Sequence, residues 1–129
     1  MHPGQFIYRV KTFHRISQHH YSGTFCSGNG GLLSNLMNKA TIRSNLTYFL
    51  PDIDAAQKAG LDYILGETNS YSCHGAPGVS NTAGAALWAL DYGLFASQIG
   101  ISRLHFHGGI GYKYNLVRAG IYFFFFELT

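Results

Sequence analysis

The chain carries two glutamates, and one of them stands where chemistry could be done. Glu67 follows the apolar run Tyr63-Ile64-Leu65 and Gly66, and it opens onto Thr68-Asn69-Ser70-Tyr71. The reading is a short buried strand that stops at the glycine and delivers one carboxylate. Barrels built from α/β units keep their reacting groups there, just past the C-terminal ends of the strands. A carboxylate in that place can attack a carbon or exchange a proton. The plainer reading is a turn carboxylate that caps the next element. Glu127, the other glutamate, lies in an unusual apolar tail.

Other residue types with chemical potential are fewer. His105 and His107 alternate on a predicted strand and so face one way. His-x-His spacing occurs in metal hydrolases. No further His or Asp is arranged around it, and Asp91 falls in mid-helix, so polar lining of a barrel mouth is preferred. Cys73-His74 pairs a thiol with an imidazole, but adjacent loop residues rarely meet in catalytic geometry. Cys26 and Cys73 lie in separate Ser/Gly-rich loops, outside any Cys-x-x-Cys pair. A disulfide between them is preferred to two free thiols and implies an oxidising compartment. Asn45-Leu46-Thr47 is a glycosylation sequon and leans the same way.

Composition narrows the class. The 129 residues amount to about one domain, and 47% hydrophobic content is enough for a core. Charged residues make up only 12%, roughly half the usual share, so some faces are expected to be covered by other parts. The nine Lys and Arg are scattered, with a formal charge of +3, which gives no nucleic-acid footprint. No run of about 20 apolar residues occurs, so nothing reads as a membrane span. Met1-His2-Pro3-Gly4 shows no apolar signal core. Nine Tyr and ten Phe suit a site that hydrogen-bonds sugars or stacks on them.

The elements that must position Glu67 follow in order. Residues 1 to 12 are unassigned. Phe13 to His20 reads as a strand, followed by a loop rich in Gly and Ser from Ser22 to Gly31. Leu32, Leu33, Leu36 and Met37 recur at helical spacing over Gly31 to Lys39. Ile42, Leu46, Phe49 and Leu50 share one face of a second helix. Pro51 opens a third, which Gly60 stops. The strand Asp62 to Leu65 comes next, then a loop from Thr68 to Gly78. Ser80 is expected to cap a helix over Asn81 to Ser97, with Leu87, Leu90 and Leu94 as its packing stripe. Arg103 to His107 is a last strand, and the glycine loop Gly108 to Gly111 follows. Strand–loop–helix repetition predicts parallel βα units. Three such units cannot close a barrel, which takes roughly 250 residues, so the fold class is α/β, a partial (β/α)8 barrel. Residues 13 to 116 form this portion. The tail from 117 to 129, with its apolar block Ile121 to Phe126, reads as an edge strand or an arbitrary terminus.

These residues resemble a known family. Gly66-Glu67-Thr68-Asn69-Ser70-Tyr71, Gly75-Ala76-Pro77-Gly78-Val79-Ser80-Asn81-Thr82 and Gly84-Ala85-Ala86-Leu87-Trp88-Ala89-Leu90-Asp91-Tyr92 resemble the nucleophile strand, loop and helix of glycoside hydrolase family 79. Ser102 to His107 with Gly109 to Asn115 is similar to the strand and loop that follow, and His19-His20-Tyr21-Ser22-Gly23 to the end of the strand before. The fungal β-glucuronidase-like branch is the nearest in character. The resemblance implies a retaining β-glucuronidase on a (β/α)8 barrel with an added β-sandwich, these strands being the sixth, seventh and eighth. It makes Glu67 the nucleophile and places the general acid/base in an Asn-Glu pair after the fourth strand. No such pair occurs here. The rest of the barrel and the sandwich are then expected partners, with no cofactor.

Retaining hydrolysis needs two carboxyls about 5 to 5.5 Å apart, one ionised and one protonated. Tyr21 is the expected hydrogen-bond donor to Glu67, with His20 second; His19 reads as a core or loop histidine. The substrate's own carboxylate needs donors that leave Glu67 charged, such as phenols and backbone N–H groups. Tyr71, Gly75, Tyr112 and Tyr114 are the candidates, and Asn69 joins them as a substrate contact. The expected substrate is a glycan ending in glucuronic acid or its 4-O-methyl form, and the expected location of the whole protein is extracellular. Two other readings stand beside this one: a non-catalytic fragment, and a metal-dependent hydrolase using His105 and His107.

Overall fold

The computed structural model describes residues 13–115. Readings for residues 1 to 12 and 117 to 129 lie outside them. Three strands form one sheet in the order β1-β2-β3, all parallel. They are β1 (Arg15–Thr24), β2 (Asp62–Ser72) and β3 (Ile101–Phe106). Between β1 and β2 run α1 (Leu33–Leu36), α2 (Lys39–Thr47) and α3 (Leu50–Lys58). α4 (Ala83–Gln98) links β2 to β3. The result is a small α/β unit built on parallel crossovers.

The central strand departs most from expectation. Tyr63, Ile64 and Leu65 are all buried, as a parallel strand covered on both faces requires. The strand does not stop at Gly66; it continues to Ser72. Leu65 pairs with Gln18 and Glu67 with His19, so Gly66 is an extra residue bulging from the ladder. A β-carbon at Gly66 would collide with the Ser17 side chain. Thr68, Asn69 and Ser70, expected in a loop, are buried in the strand. Their polar groups have partners: Thr68 with Tyr92 at 3.0 Å, and Ser70 with Ser80 at 2.8 Å. Satisfied polar groups can lie in a core, so polarity alone misplaced this segment.

The helices supply the other half of the core. Ile42, Leu46 and Phe49 are buried, with Ile53 and Ala56 of α3, against Tyr63, Leu65 and Ile101 of the sheet. Each large apolar side chain fully buried here contributes about 1.5–3 kcal/mol. Leu50 is exposed, since Phe49 takes the inward place. The first predicted helix shrinks to α1, and Asn38 caps α2 by accepting from the N–H groups of Ala40 and Thr41.

The expectation for α4 is corrected in two ways. Its cap is Thr82, whose hydroxyl accepts from the Ala85 N–H; Ser80 is instead buried, accepting from Ala76 N–H and Ser70. Its buried face is Ala85, Trp88, Tyr92 and Ala96, while Leu87, Leu90 and Leu94 are exposed. The helix is apolar nearly all round, so periodicity gives it no direction. Trp88 and Tyr92, with ring centroids 4.9 Å apart, take the sheet side. There the Tyr92 hydroxyl meets partners on two strands.

Candidate active site

Those partners define which way Glu67 points. The Tyr92 hydroxyl, on the helix side, bonds Thr68 at 3.0 Å and His20 Nδ1 at 2.8 Å. Neighbouring residues on a strand project to opposite faces. Glu67 and Asn69 of β2, and His19 and Tyr21 of β1, therefore project from the face that the helices leave free. Parallel register sets them side by side, His19 with Glu67 and Tyr21 with Asn69.

On this face Tyr21 donates its hydroxyl hydrogen to Glu67 Oε1 at 2.7 Å. His107, the residue after β3, sits with Nδ1 at 2.9 Å from the Tyr21 oxygen and 3.0 Å from the Tyr114 oxygen. The same nitrogen is 3.7 Å from Glu67 Oε1, and His19 Nδ1 is 3.9 Å from Oε2. The Tyr21 hydrogen bond holds the Glu67 carboxyl below its ordinary range; partial burial opposes this, and the two imidazoles reinforce it. Burial, then the bond to Glu67, raises the Tyr21 phenol far above its usual range, so it remains a donor. Burial also raises Tyr114. Glu67 is thus a partly exposed carboxylate, with Oε1 tied and Oε2 open.

The surrounding loops are braced to one another. Asn69 Nδ2 donates to the His107 carbonyl at 2.8 Å and the Tyr114 carbonyl at 3.1 Å, and its Oδ1 accepts from Ser70 N–H. Asn115 clamps Gly109 through both its N–H and its carbonyl. Cys26 and Cys73 are joined by a disulfide that ties the loops after β1 and β2. Cys73, His74 and Gly75 all have positive φ, of 61°, 73° and 86°. For the first two that backbone is strained. The Lys113 N–H donates to the His74 carbonyl at 2.7 Å, and the His74 ring stacks on Tyr112 at 4.1 Å. A β-carbon at Gly75 would press within 2.9 Å of the Tyr114 nitrogen, so only glycine lets these loops meet.

The fold brings together Glu67, Tyr21 and Tyr114, and leaves Gly75 and Tyr112 on the adjoining rim. Other predicted contacts lie elsewhere. His20 is not a donor to Glu67; it faces the helices, bonded to Tyr92 and packed edge-on against Phe49. Tyr71 is buried beneath Gly23 and Gly31, its hydroxyl donating to the Leu32 carbonyl. The amide of Asn69 is spent on bracing the loops. Asn45 lies within α2, partly buried, and not on a loop. His105 is exposed on β3, and His107 falls beyond the strand's end. Among the described residues no three His, Cys, Asp or Glu side chains gather as ligands. Sequence reasoning placed His107 only as rim lining and dismissed His19; both approach Glu67. The predicted strand ends near His19 and at His107 were the available signal, although β1 runs on past His19 to Thr24.

Known proteins sharpen this picture. No family model matches the chain. It is 35% identical over 115 residues to a β-glucuronidase of Neurospora crassa, covering 86% of this chain and 20% of that protein. It is 39% identical over 104 residues to a β-glucuronidase of Aspergillus niger, covering 76% and 19%. The crystal structure of a 4-O-α-L-rhamnosyl-β-D-glucuronidase from Fusarium oxysporum, in complex with Rha-GlcA, superimposes with a TM-score of 0.69 at 36% identity, covering 77% of this chain and 21% of that one. The chain therefore spans about a fifth of the length of these relatives. Likeness in sequence over most of its length, joined to likeness in fold, assigns the chain to the β-glucuronidase-like glycoside hydrolases.

Proposed function

We propose that this chain carries the nucleophile of a retaining glycosidase of family 79 type, which removes terminal glucuronic acid or 4-O-methylglucuronic acid from glycans. The observation that carries the reading is the state of Glu67. It is a carboxylate on the helix-free face of a parallel sheet, held ionised by Tyr21 through Oε1, with Oε2 open. In a (β/α)8 barrel the helix-free face is the interior; by the resemblance, the three strands read as the sixth to eighth of such a barrel.

The chemistry follows from that placement. Glu67 Oε2 attacks the anomeric carbon, and the bond to the leaving oxygen breaks. That oxygen takes a proton from a second carboxyl group, and the sugar remains bound to Glu67 as an ester. The second carboxyl then takes a proton from water, whose oxygen displaces Glu67. The other described acids do not belong to this face: Asp52 and Asp54 lie on α3, Asp91 on α4, and Asp62 at the start of β2 beside Arg15. By resemblance the second carboxyl comes from an Asn-Glu pair elsewhere in the barrel. The substrate's carboxylate is read as meeting Tyr114, Tyr112 and the backbone at Gly75, donors that carry no charge to neutralise Glu67. The Cys26–Cys73 disulfide favours an oxidising, extracellular setting.

The test is a chimera in which residues 13–116 replace their counterpart in the Neurospora crassa β-glucuronidase. It should cleave an aryl β-glucuronide, prefer it to the aryl β-glucoside, and lose activity on Glu67→Gln. Undiminished cleavage by the Gln variant would refute the assignment.

A further inference from the structure

The polar chain around Glu67 contains more contacts than protons, and counting the protons fixes the role of His107. Glu67 is ionised and can only accept, so the hydrogen in its 2.7 Å contact with Tyr21 belongs to Tyr21. A phenol has one such hydrogen. The 2.9 Å contact between the Tyr21 oxygen and His107 Nδ1 needs a hydrogen of its own, and only Nδ1 can supply it. The Tyr114 oxygen, 3.0 Å from the same nitrogen, is then a second acceptor of that N–H. The separation of 3.7 Å between Nδ1 and Glu67 Oε1 is too long for a direct bond.

We infer that His107 is a positioning residue of this site, acting on Glu67 through the Tyr21 hydroxyl as an obligate Nδ1–H donor. This rests on the reading of Glu67 as the working carboxylate. Were Nδ1 bare, it would either face the Tyr21 oxygen at 2.9 Å with no hydrogen between them or draw the Tyr21 hydrogen away from Glu67. The hydrogen bond from Nδ1–H prevents this and polarises the Tyr21 O–H toward the carboxylate, since linked hydrogen bonds strengthen one another. The His107 backbone is anchored on both sides: its N–H donates to the Thr68 carbonyl at 2.9 Å, and its carbonyl accepts from Asn69 Nδ2. The titratable groups facing the ring are Tyr21 from β1, Glu67 from β2, and Tyr112 and Tyr114 from the loop after β3.

The test uses the full chain and NMR, with no need for turnover. Nitrogen-15 spectra should show His107 protonated at Nδ1. The carbon-13 titration of the Glu67 carboxyl should move upward, by severalfold in ionisation constant, in both Tyr21→Phe and His107→Phe. His107→Asn, whose amide nitrogen can stand near the place of Nδ1, should keep the wild-type titration. The double variant Tyr21→Phe/His107→Phe should titrate like Tyr21→Phe alone. A bare Nδ1 overturns the inference even if no His107 variant folds, because that signature is read on the wild type. So does a Glu67 titration moved by Tyr21→Phe and untouched by His107→Phe. Neither result bears on whether Glu67 is a nucleophile, which the chimera reads separately.

Discussion

The two faces of β2 are built by opposite rules. On the helix side Tyr63 and Leu65 lie in a buried core with Ile53, Trp88 and Tyr92. Where polar atoms occur there, as at Thr68 and His20, one hydroxyl serves both. On the free face Glu67 stays partly exposed among phenols and imidazoles, and one of its oxygens has no hydrogen-bond partner among the described residues. One strand supplies both faces because side chains alternate, and the Gly66 bulge sets which residues fall on each. The contrast teaches that stability and chemistry are separable here. Changes on the helix side should alter folding, and changes on the free face should alter the carboxylate.

The largest expected effect lies on the free face. Glu67→Gln in the chimera should lower kcat on the order of 10^4-fold or more, as loss of a covalent nucleophile does. The same change should move the urea midpoint of the full chain far less than a core truncation does. On the helix side Trp88→Ala should cost about 3–5 kcal/mol in urea unfolding, from lost burial and the cavity left behind. Glu67 titration in its folded fraction should not change. Reducing the Cys26–Cys73 bond, or changing both residues to Ser, should cost about 2–4 kcal/mol by freeing a long loop in the unfolded chain. Tyr92→Phe should cost about 1–3 kcal/mol, because Thr68 and His20 both lose the hydroxyl they share.

The smallest effect, and the sharpest in sign, is the pH response at Tyr21. The Glu67 carboxyl is held below its unfolded value, so its contribution to stability is present above that value. It is lost as pH falls through the folded value. The acid limb of kcat/KM reports the same ionisation in the free enzyme. Tyr21→Phe should therefore move that limb upward in the chimera and shrink the acid-dependent part of stability in the chain. A limb that stays put would mean that the free face does not hold Glu67 as described.

How much of this was legible in the sequence depends on how local each cause is. Tyr63-Ile64-Leu65 could be read as a buried strand because the run is apolar without a break. Glu67 and Tyr21 could be paired because parallel strand ends lie side by side. Thr68 to Ser70 could not be read as strand, since what allows them inside is a hydroxyl on α4 and another at Ser80. The inward face of α4 was hidden for a different reason. Leu87, Leu90 and Leu94 are as apolar as the buried positions, and the buried side is marked by the hydrogen bonds of Tyr92 and the contacts of Trp88 and Tyr92 with Phe106. His107 reaches Tyr21 across 86 positions, and no spacing rule spans that distance.

The claim on which the account turns is that Glu67 forms a bond to sugar. The direct measurement is trapping with 2-deoxy-2-fluoro-β-glucuronyl fluoride, whose fluoride leaves without acid assistance. The chimera should gain the mass of one fluoroglucuronyl group on the peptide containing Glu67, and the Glu67→Gln variant should gain nothing. A label on any other carboxylate, or the same label in the Gln variant, would contradict it.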